Sequence, residues 1–352
     1  MKKFFTYPVF VFLFISFIGM MGFGAIVKYN FEGGEKYQFL QKQVMLISSV
    51  PITLRNMIKH RTLNLNKLRP LPKHKDKKRF EKFIENKRNA LLVLPRYEYS
   101  LGRSVVDIID LNDFEVIHTY QHHISEMNEQ VQNTEKFPRL NIDHSPTRFL
   151  YGNALILNDG SLISNSNGPI FKIDFCSNLK WVNDEEKFNH SINFGHDGNI
   201  WQVGELKPYS KYVKHYQIKN FKDFAIIKIN SEGKILFKKS VIEILIENKI
   251  LPKNYAYNAV YNNNNNPIHL NDIQPVFSDT EYWKKGDLFL SIRNQSAIIH
   301  YRPSTNKVIN YLTGPFARQH DVDIISEKEI SIFDNNNFFV DNQYSEVLIY
   351  NF

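Results

Sequence analysis

Four of the 12 histidines share one kind of address. His144 in DHSPTRFLYGNALI, His190 in FNHSINFGHDGNIW, His269 in NPIHLNDIQPV and His320 in ARQHDVDIIS each stand a few residues ahead of an apolar segment that opens a unit. An imidazole titrates near neutrality, so it can serve as nucleophile, proton donor, proton acceptor or metal ligand. Taken singly, each has a plainer reading as a loop or core side chain with its hydrogen bond satisfied. Recurrence at one address gives the functional reading its weight. Arg293, in LFLSIRNQS, ends the strand that follows His269. Its guanidinium stays charged, and its planar fork suits a tetrahedral oxyanion. A metal reading rests on Asp321 and Asp323 beside His320, while the adjacent pair His122-His123 falls in a loop elsewhere. No G-x-S-x-G elbow, Walker loop or G-x-G-x-x-G occurs. That absence removes the commonest hydrolase and nucleotide-binding readings.

Such side chains need a scaffold that brings distant positions together. From about residue 89 the chain reads as short strands with turn residues between them. One recurring wording is an apolar strand around a turn: NALILNDGSLISNS, NFGHDGNIWQVG, KKGDLFLSIRN and IISEKEISIFDNN. The other is strand, polar turn, strand: SVVDIIDLNDFEVIHTY, IFKIDFCSNLKWV, FAIIKINSEGKILFKK and AIIHYRPSTNKVINYL. Asn-Asp-Gly, Asp-Gly and Ser-Glu-Gly are hairpin signals. Two hairpins per unit, recurring every 50 to 70 residues, predict an all-β propeller with loop insertions. In a propeller the opening strand of each blade lines the central channel, so the histidines ahead of those strands converge at one mouth. Four or five units are visible. A sixth blade is sought either in 121–150 or through SEVLIYNF (345–352) pairing with early strands. NNNNN (262–266) reads as a flexible inserted loop. A pair of β-sandwiches is the structural alternative.

Ahead of the strands, Lys2 and Lys3 precede PVFVFLFISFIGMMGFGAIV (8–27), a charge-free run long enough to cross a bilayer as a helix. It predicts an N-terminal membrane anchor over 1–28, a cleaved signal being the alternative, with the N-terminus cytoplasmic and the remainder outside. Residues 29–88 read as a juxtamembrane stalk, helical in part and then basic (KLRPLPKHKDKKRFEKF), suited to lie along anionic lipid. The net charge of +8 is concentrated in this first third, so it does not imply nucleic-acid binding. The single cysteine, Cys176, excludes an intramolecular disulfide and any site built on several thiolates.

HLNDIQPV followed by GDLFLSIRNQSAIIHY, and then GPFARQHDVDIISEKEISIFDNN, resembles the bacterial arylsulfotransferase family over roughly residues 89–352. IIDLNDFEVIHTY is similar to a blade of that family. The resemblance implies a six-bladed β-propeller at 89–352 that moves a sulfuryl group from a phenolic sulfate ester to a phenolic acceptor, with no nucleotide donor, cofactor or metal. It implies that His320 is the sulfurylated nucleophile, that His269, Asn271, His190 and Arg293 surround it, and that Asn271 contacts substrate. Together with the charge and apolar run of the N-terminus, the reading is of a periplasmic propeller held at the inner membrane by its N-terminal helix, an anchor that replaces the extra N-terminal domain of some family members. A sulfuryl transfer passes through a loose transition state, so cationic stabilisation by Arg293 and a protonated histidine is expected, with His269 exchanging the proton. The alternative of a different class is a non-catalytic propeller that binds an anionic glycan or an envelope protein.

Overall fold

The computed structural model describes residues 6–31, 80–98, 101–121, 124–138, 140–145, 148–335 and 344–352. The chain divides into two units, Met1–Arg88 and Asn89–Phe352. In the first, Thr6–Phe31 is one helix, and its stretch Tyr7–Ile26 is long and apolar enough to cross a membrane. A signal sequence near an N-terminus has the same character. The expected stalk lies almost wholly outside the described residues, as does the His122-His123 pair.

The second unit is built mostly of antiparallel sheet. The first sheet joins β1 (Leu91–Glu98), β2 (Arg103–Asp110) and β3 (Val116–Tyr120). The next runs from β4 (Ala154–Ile156) through β5 (Leu162–Asn165), β6 (Gly168–Ile173), β7 (Leu179–Phe194), β8 (Ile200–Glu205) and β9 (Phe224–Ile229) to β10 (Ile235–Ser240). Strand β7 is 16 residues long. Its first half pairs with β6 and its second half with β8, so this sheet is two four-stranded units sharing one strand. A four-stranded sheet follows: β11 (Leu270–Pro275), β12 (Leu288–Ile292), β13 (Ala297–Arg302) and β14 (Lys307–Thr313). The last contains β15 (Val322–Ile324), β16 (Glu329–Asp334) and β17 (Glu346–Asn351).

The hairpins fall where the turn residues placed them. Gly160, Gly198 and Gly233 close the β4–β5, β7–β8 and β9–β10 turns at φ of +76°, +76° and +79°, a region open to glycine. Sheets consecutive in the chain pack face to face. Val106 and Tyr120 of the first meet Leu162 and Phe171 of the second. Val203 and Ile226 meet Leu270 and Leu290. Phe289 and Ile298 meet Val322 and Ile332. Central strands are therefore covered on both faces, which explains continuous burial in FAII and LFLSI where a two-sheet sandwich would show alternation. At the inner edge β11 packs against β7 and β8 on one side and β15 on the other.

Three expectations are corrected. The described part of 121–150 forms helices, Ile124–Gln130 and Leu140–Asp143, so it supplies no blade there. Among the described residues the C-terminal strand β17 pairs with β16 and with no early strand. The asparagine run is an exposed turn held by hydrogen bonds: Asn262 caps the helix Tyr255–Tyr261, and the Asn265 carbonyl accepts from the Lys222 amide at 2.8 Å.

Candidate active site

His190 sits in β7 where the register with β8 slips between Asn189 and Ile192, and its backbone is left-handed, φ 54°. His269 is also left-handed, φ 52°, one residue ahead of β11. Such a φ is uncommon away from glycine and persists only where the surroundings hold it. At His190 the hold is visible. Buried Gln202 donates to the Asn189 carbonyl at 2.7 Å, and buried Asn165, itself bonded to Gln202 at 3.2 Å, reaches the His190 carbonyl at 3.5 Å. The bulge turns both histidines out of their strands and toward each other, with ring centroids 5.0 Å apart and Phe224 against both.

His320 arrives from the next sheet. Its amide donates to the Phe333 carbonyl at 3.0 Å, Gln319 is fully buried and donates to the Ala297 carbonyl at 2.9 Å, and Arg318 is left-handed. Arg293 begins a 3-10 turn after β12, and its amide donates to the His269 carbonyl at 3.0 Å.

One buried carboxylate ties the three histidine segments together. Asp272 accepts from the Val322 amide at 3.1 Å, from the Asn193 side chain at 3.2 Å and from the Ser191 hydroxyl, whose oxygen in turn accepts from the Ile273 amide at 3.0 Å. Ser191 follows His190, Val322 is two past His320, and Asp272 is three past His269. Burial first, then the Asp321 carboxylate, push Asp272 up to about 7, while its hydrogen bonds oppose that rise.

The electrostatics place the imidazoles and cations in one field. Burial, then His320, Lys222 and Arg293, lower His190 to about 4. Burial, then His190, Arg293 and Lys222, lower His269 to about 3. Burial and Arg293 also lower His320, against an opposing hydrogen bond to the Arg318 carbonyl. The site thus holds neutral imidazoles at pH 7, and its positive charge comes from Arg293, Lys222, Lys187 and Arg318, not from a protonated histidine. Asparagines engage two of the rings at Nδ1: Asn266 with His269 at 2.8 Å and Asn335 with His320 at 2.7 Å.

His144 lies apart. Its Nε2 bonds to the Ser166 carbonyl at 2.9 Å, and the charge that bears on it is Asp143. Asn271 is buried, with its amide on the Gln319 carbonyl at 3.2 Å and its Oδ1 unpartnered among the described residues. In this arrangement it braces the His320 loop. The sequence reading missed Asn266, Asn335, Lys222 and Asp272. The first two stood in asparagine-rich turns that looked like filler, and Asp272 stood unremarked in HLNDIQPV beside His269 and Asn271. Among the described residues no group of three or more His, Cys, Asp or Glu side chains is placed to hold a metal ion.

A unit of stacked antiparallel sheets that presents neutral imidazoles and arginine at its strand openings has the equipment of a group-transfer protein. The sequence profile described as Arylsulfotransferase (ASST) matches residues 153–352, and the chain belongs to that family. No curated protein matches the chain. Among solved structures it is similar to a protein of unknown function from Bacteroides caccae (10% identity, 73% of this chain and 72% of that one, TM-score 0.40). It is also similar to the Kuenenia stuttgartiensis hydrazine synthase (11%, 70% and 65%, TM-score 0.42) and the Neurospora crassa Pan2 WD40 domain (8%, 75% and 60%, TM-score 0.42).

Proposed function

We propose that this chain transfers a sulfuryl group from a phenolic sulfate ester to a phenolic acceptor through a covalent sulfohistidine on His320. The observation that carries the reading is the convergence of His190, His269, His320 and Arg293 in one field, in a chain of the arylsulfotransferase family. Arg293 pairs with the sulfate oxygens, and its charge acts most strongly where the loose transition state spreads negative charge. Nε2 of His320 attacks sulfur, the S–N bond forms, the S–O bond breaks and the phenolate departs.

Tautomers matter in this step. Attack by Nε2 needs the proton on Nδ1, so the Asn335 amide, whose nitrogen meets Nδ1 and also donates to the Arg318 carbonyl at 3.2 Å, must turn its oxygen to the ring and give up its bond to that carbonyl. His269 can give a proton to the departing phenolate only as the doubly protonated ring, in which Nδ1–H donates to the Asn266 amide oxygen, turned toward it in place of the nitrogen that meets Nδ1 at 2.8 Å. A sulfate ester brings a negative charge against His269 and drives its pKa back up, so donor binding itself prepares the proton donor. The deprotonated ring then takes the acceptor's hydroxyl proton, the acceptor oxygen attacks sulfur, and His320 is regenerated. Asn271 acts here by fixing the His320 loop.

A propeller, of whose six blades the described residues account for five, and the division into anchor (1–28), stalk (29–88) and propeller (89–352) belong to the same proposal. Supporting it are the face-to-face order of the sheets and the family membership. The N-terminal helix supports a single pass through the inner membrane with the propeller periplasmic; protease protection of the C-terminus in intact spheroplasts would contradict that orientation. Turnover is tested with a chromogenic aryl sulfate. Phenol release that rises with added phenol acceptor supports transfer, and release indifferent to acceptor would reduce the chain to a hydrolase.

A further inference from the structure

A cavity of about 280 Å3, lined by His144 and by none of the other three histidines, is not used by the mechanism. One wall is the helical insertion carrying Phe137, Leu140 and His144; the opposite wall is the edge of the β6–β8 unit with Gly168, Lys187 and Leu206. Phe221 closes one side. A dry cavity of roughly 150 Å3 suffices for benzene, so this one takes a substituted ring. Phe137, Leu206 and Phe221 are each less than 9% exposed, giving an apolar floor.

The polar features are cationic and accepting. Glu205 is shared by Lys187 at 3.5 Å, Lys222 at 3.9 Å and the Asn189 amide at 3.0 Å, so two lysines divide one carboxylate. Asp143 is offset by Arg148 at 3.6 Å, and Lys136 is taken by Glu186. Lys207, exposed at the rim, has no side-chain partner among the described residues. His144, 3% exposed, spends Nε2–H on the Ser166 carbonyl, which leaves Nδ1 a lone pair with no partner among the described residues. The ring reaches that position because residue 168 is glycine; a Cβ there would stand 2.4 Å from His144 Cε1.

We propose that this cavity receives the aryl body of an acidic phenol acceptor, its carboxylate against Lys207 at the rim and its hydroxyl directed past Lys187 to the histidines. The inference rests on the transferase reading. Lys187 stands three residues from His190 on the same strand, on the order of 10 Å at strand rise. Lys187, which lines the cavity, also bears on the charge of His190. The anionic group therefore lies at the end of the acceptor remote from the reacting oxygen, as in a hydroxycinnamate.

Calorimetric binding of 4-hydroxycinnamate to the full chain in detergent tests this without turnover. Expected are saturable binding, a Kd at least 10-fold weaker in Leu206→Trp and in Lys207→Ala, and weaker binding of the neutral alcohol analogue. Where the chain turns over, the preference for 4-hydroxycinnamate over phenol should fall by a similar factor in the same variants. No binding by folded chain, or equal binding by the variants, overturns the proposal; equal binding of acid and alcohol overturns its cationic part. Should Leu206→Trp misfold, Lys207→Ala, altering an exposed side chain, decides alone. A chain that binds the acid in this cavity yet transfers no sulfuryl group defeats the transferase reading and keeps the site.

Discussion

At the scale of single residues, the depressed basicity of the imidazoles has a use and a cost. The proposed nucleophile must be unprotonated, and burial with Arg293 lowers the basicity of His320. The acid limb of kcat/KM should therefore lie below the value for free histidine. Replacing Arg293 by alanine removes the Coulomb part of that depression, so the limb should move to higher pH while the rate drops by roughly 10²–10³ with loss of one transition-state donor. A pH–rate profile of the variant checks both; a limb that stays put would detach Arg293 from His320. The cost is acid lability. His190 and His269 have folded pKa values below the unfolded one, so the unfolded chain binds more protons and stability falls as pH drops below about 6.5 toward 4 and 3. Asp272 acts through position. Asp272→Asn puts an amide where the Val322 N–H donates, and a displacement of about 1 Å at the nucleophile costs on the order of 10²-fold. That loss should appear in kcat with little change in KM, and a loss confined to thermal stability would make Asp272 structural only.

At the scale of elements, strand openings do the work. A β-bulge in β7 and a left-handed residue ahead of β11 redirect two side chains that regular strands would have placed across a sheet. Gln202, fully buried, holds the first of these; Gln202→Ala leaves the Asn189 carbonyl without that partner and should cost about 1–3 kcal/mol. Denaturant unfolding measures it, and an unchanged midpoint would show that the bulge is held otherwise. These details explain what the sequence could not tell. Hairpins were legible because Asn-Asp-Gly and Ser-Glu-Gly demand a positive φ that few other residues accept. His269 and His320 were legible through their spacing to the next strand. The bulge was not, since nothing in FNHSIN distinguishes a left-handed histidine from an extended one. His144 shared the sequence address but not the site, because the helices of 124–143 give it another neighbourhood. The asparagines were misread because low complexity carries no signal of the hydrogen bonds it makes.

At the scale of the molecule, consecutive sheets burying both faces against their neighbours give a rigid frame, and four separated segments of sequence are thereby fixed on one another. On the proposed mechanism this frame makes His320 a carrier of the sulfuryl group. The most direct measurement is intact mass of the full chain quenched at early times after mixing with an aryl sulfate, followed by fragment mapping. Expected is a transient gain of one sulfuryl group located on His320, discharged by added phenol and absent in a folded His320→Asn variant. Phenol release at an undiminished rate in that variant, or an adduct mapped to another residue, would contradict it.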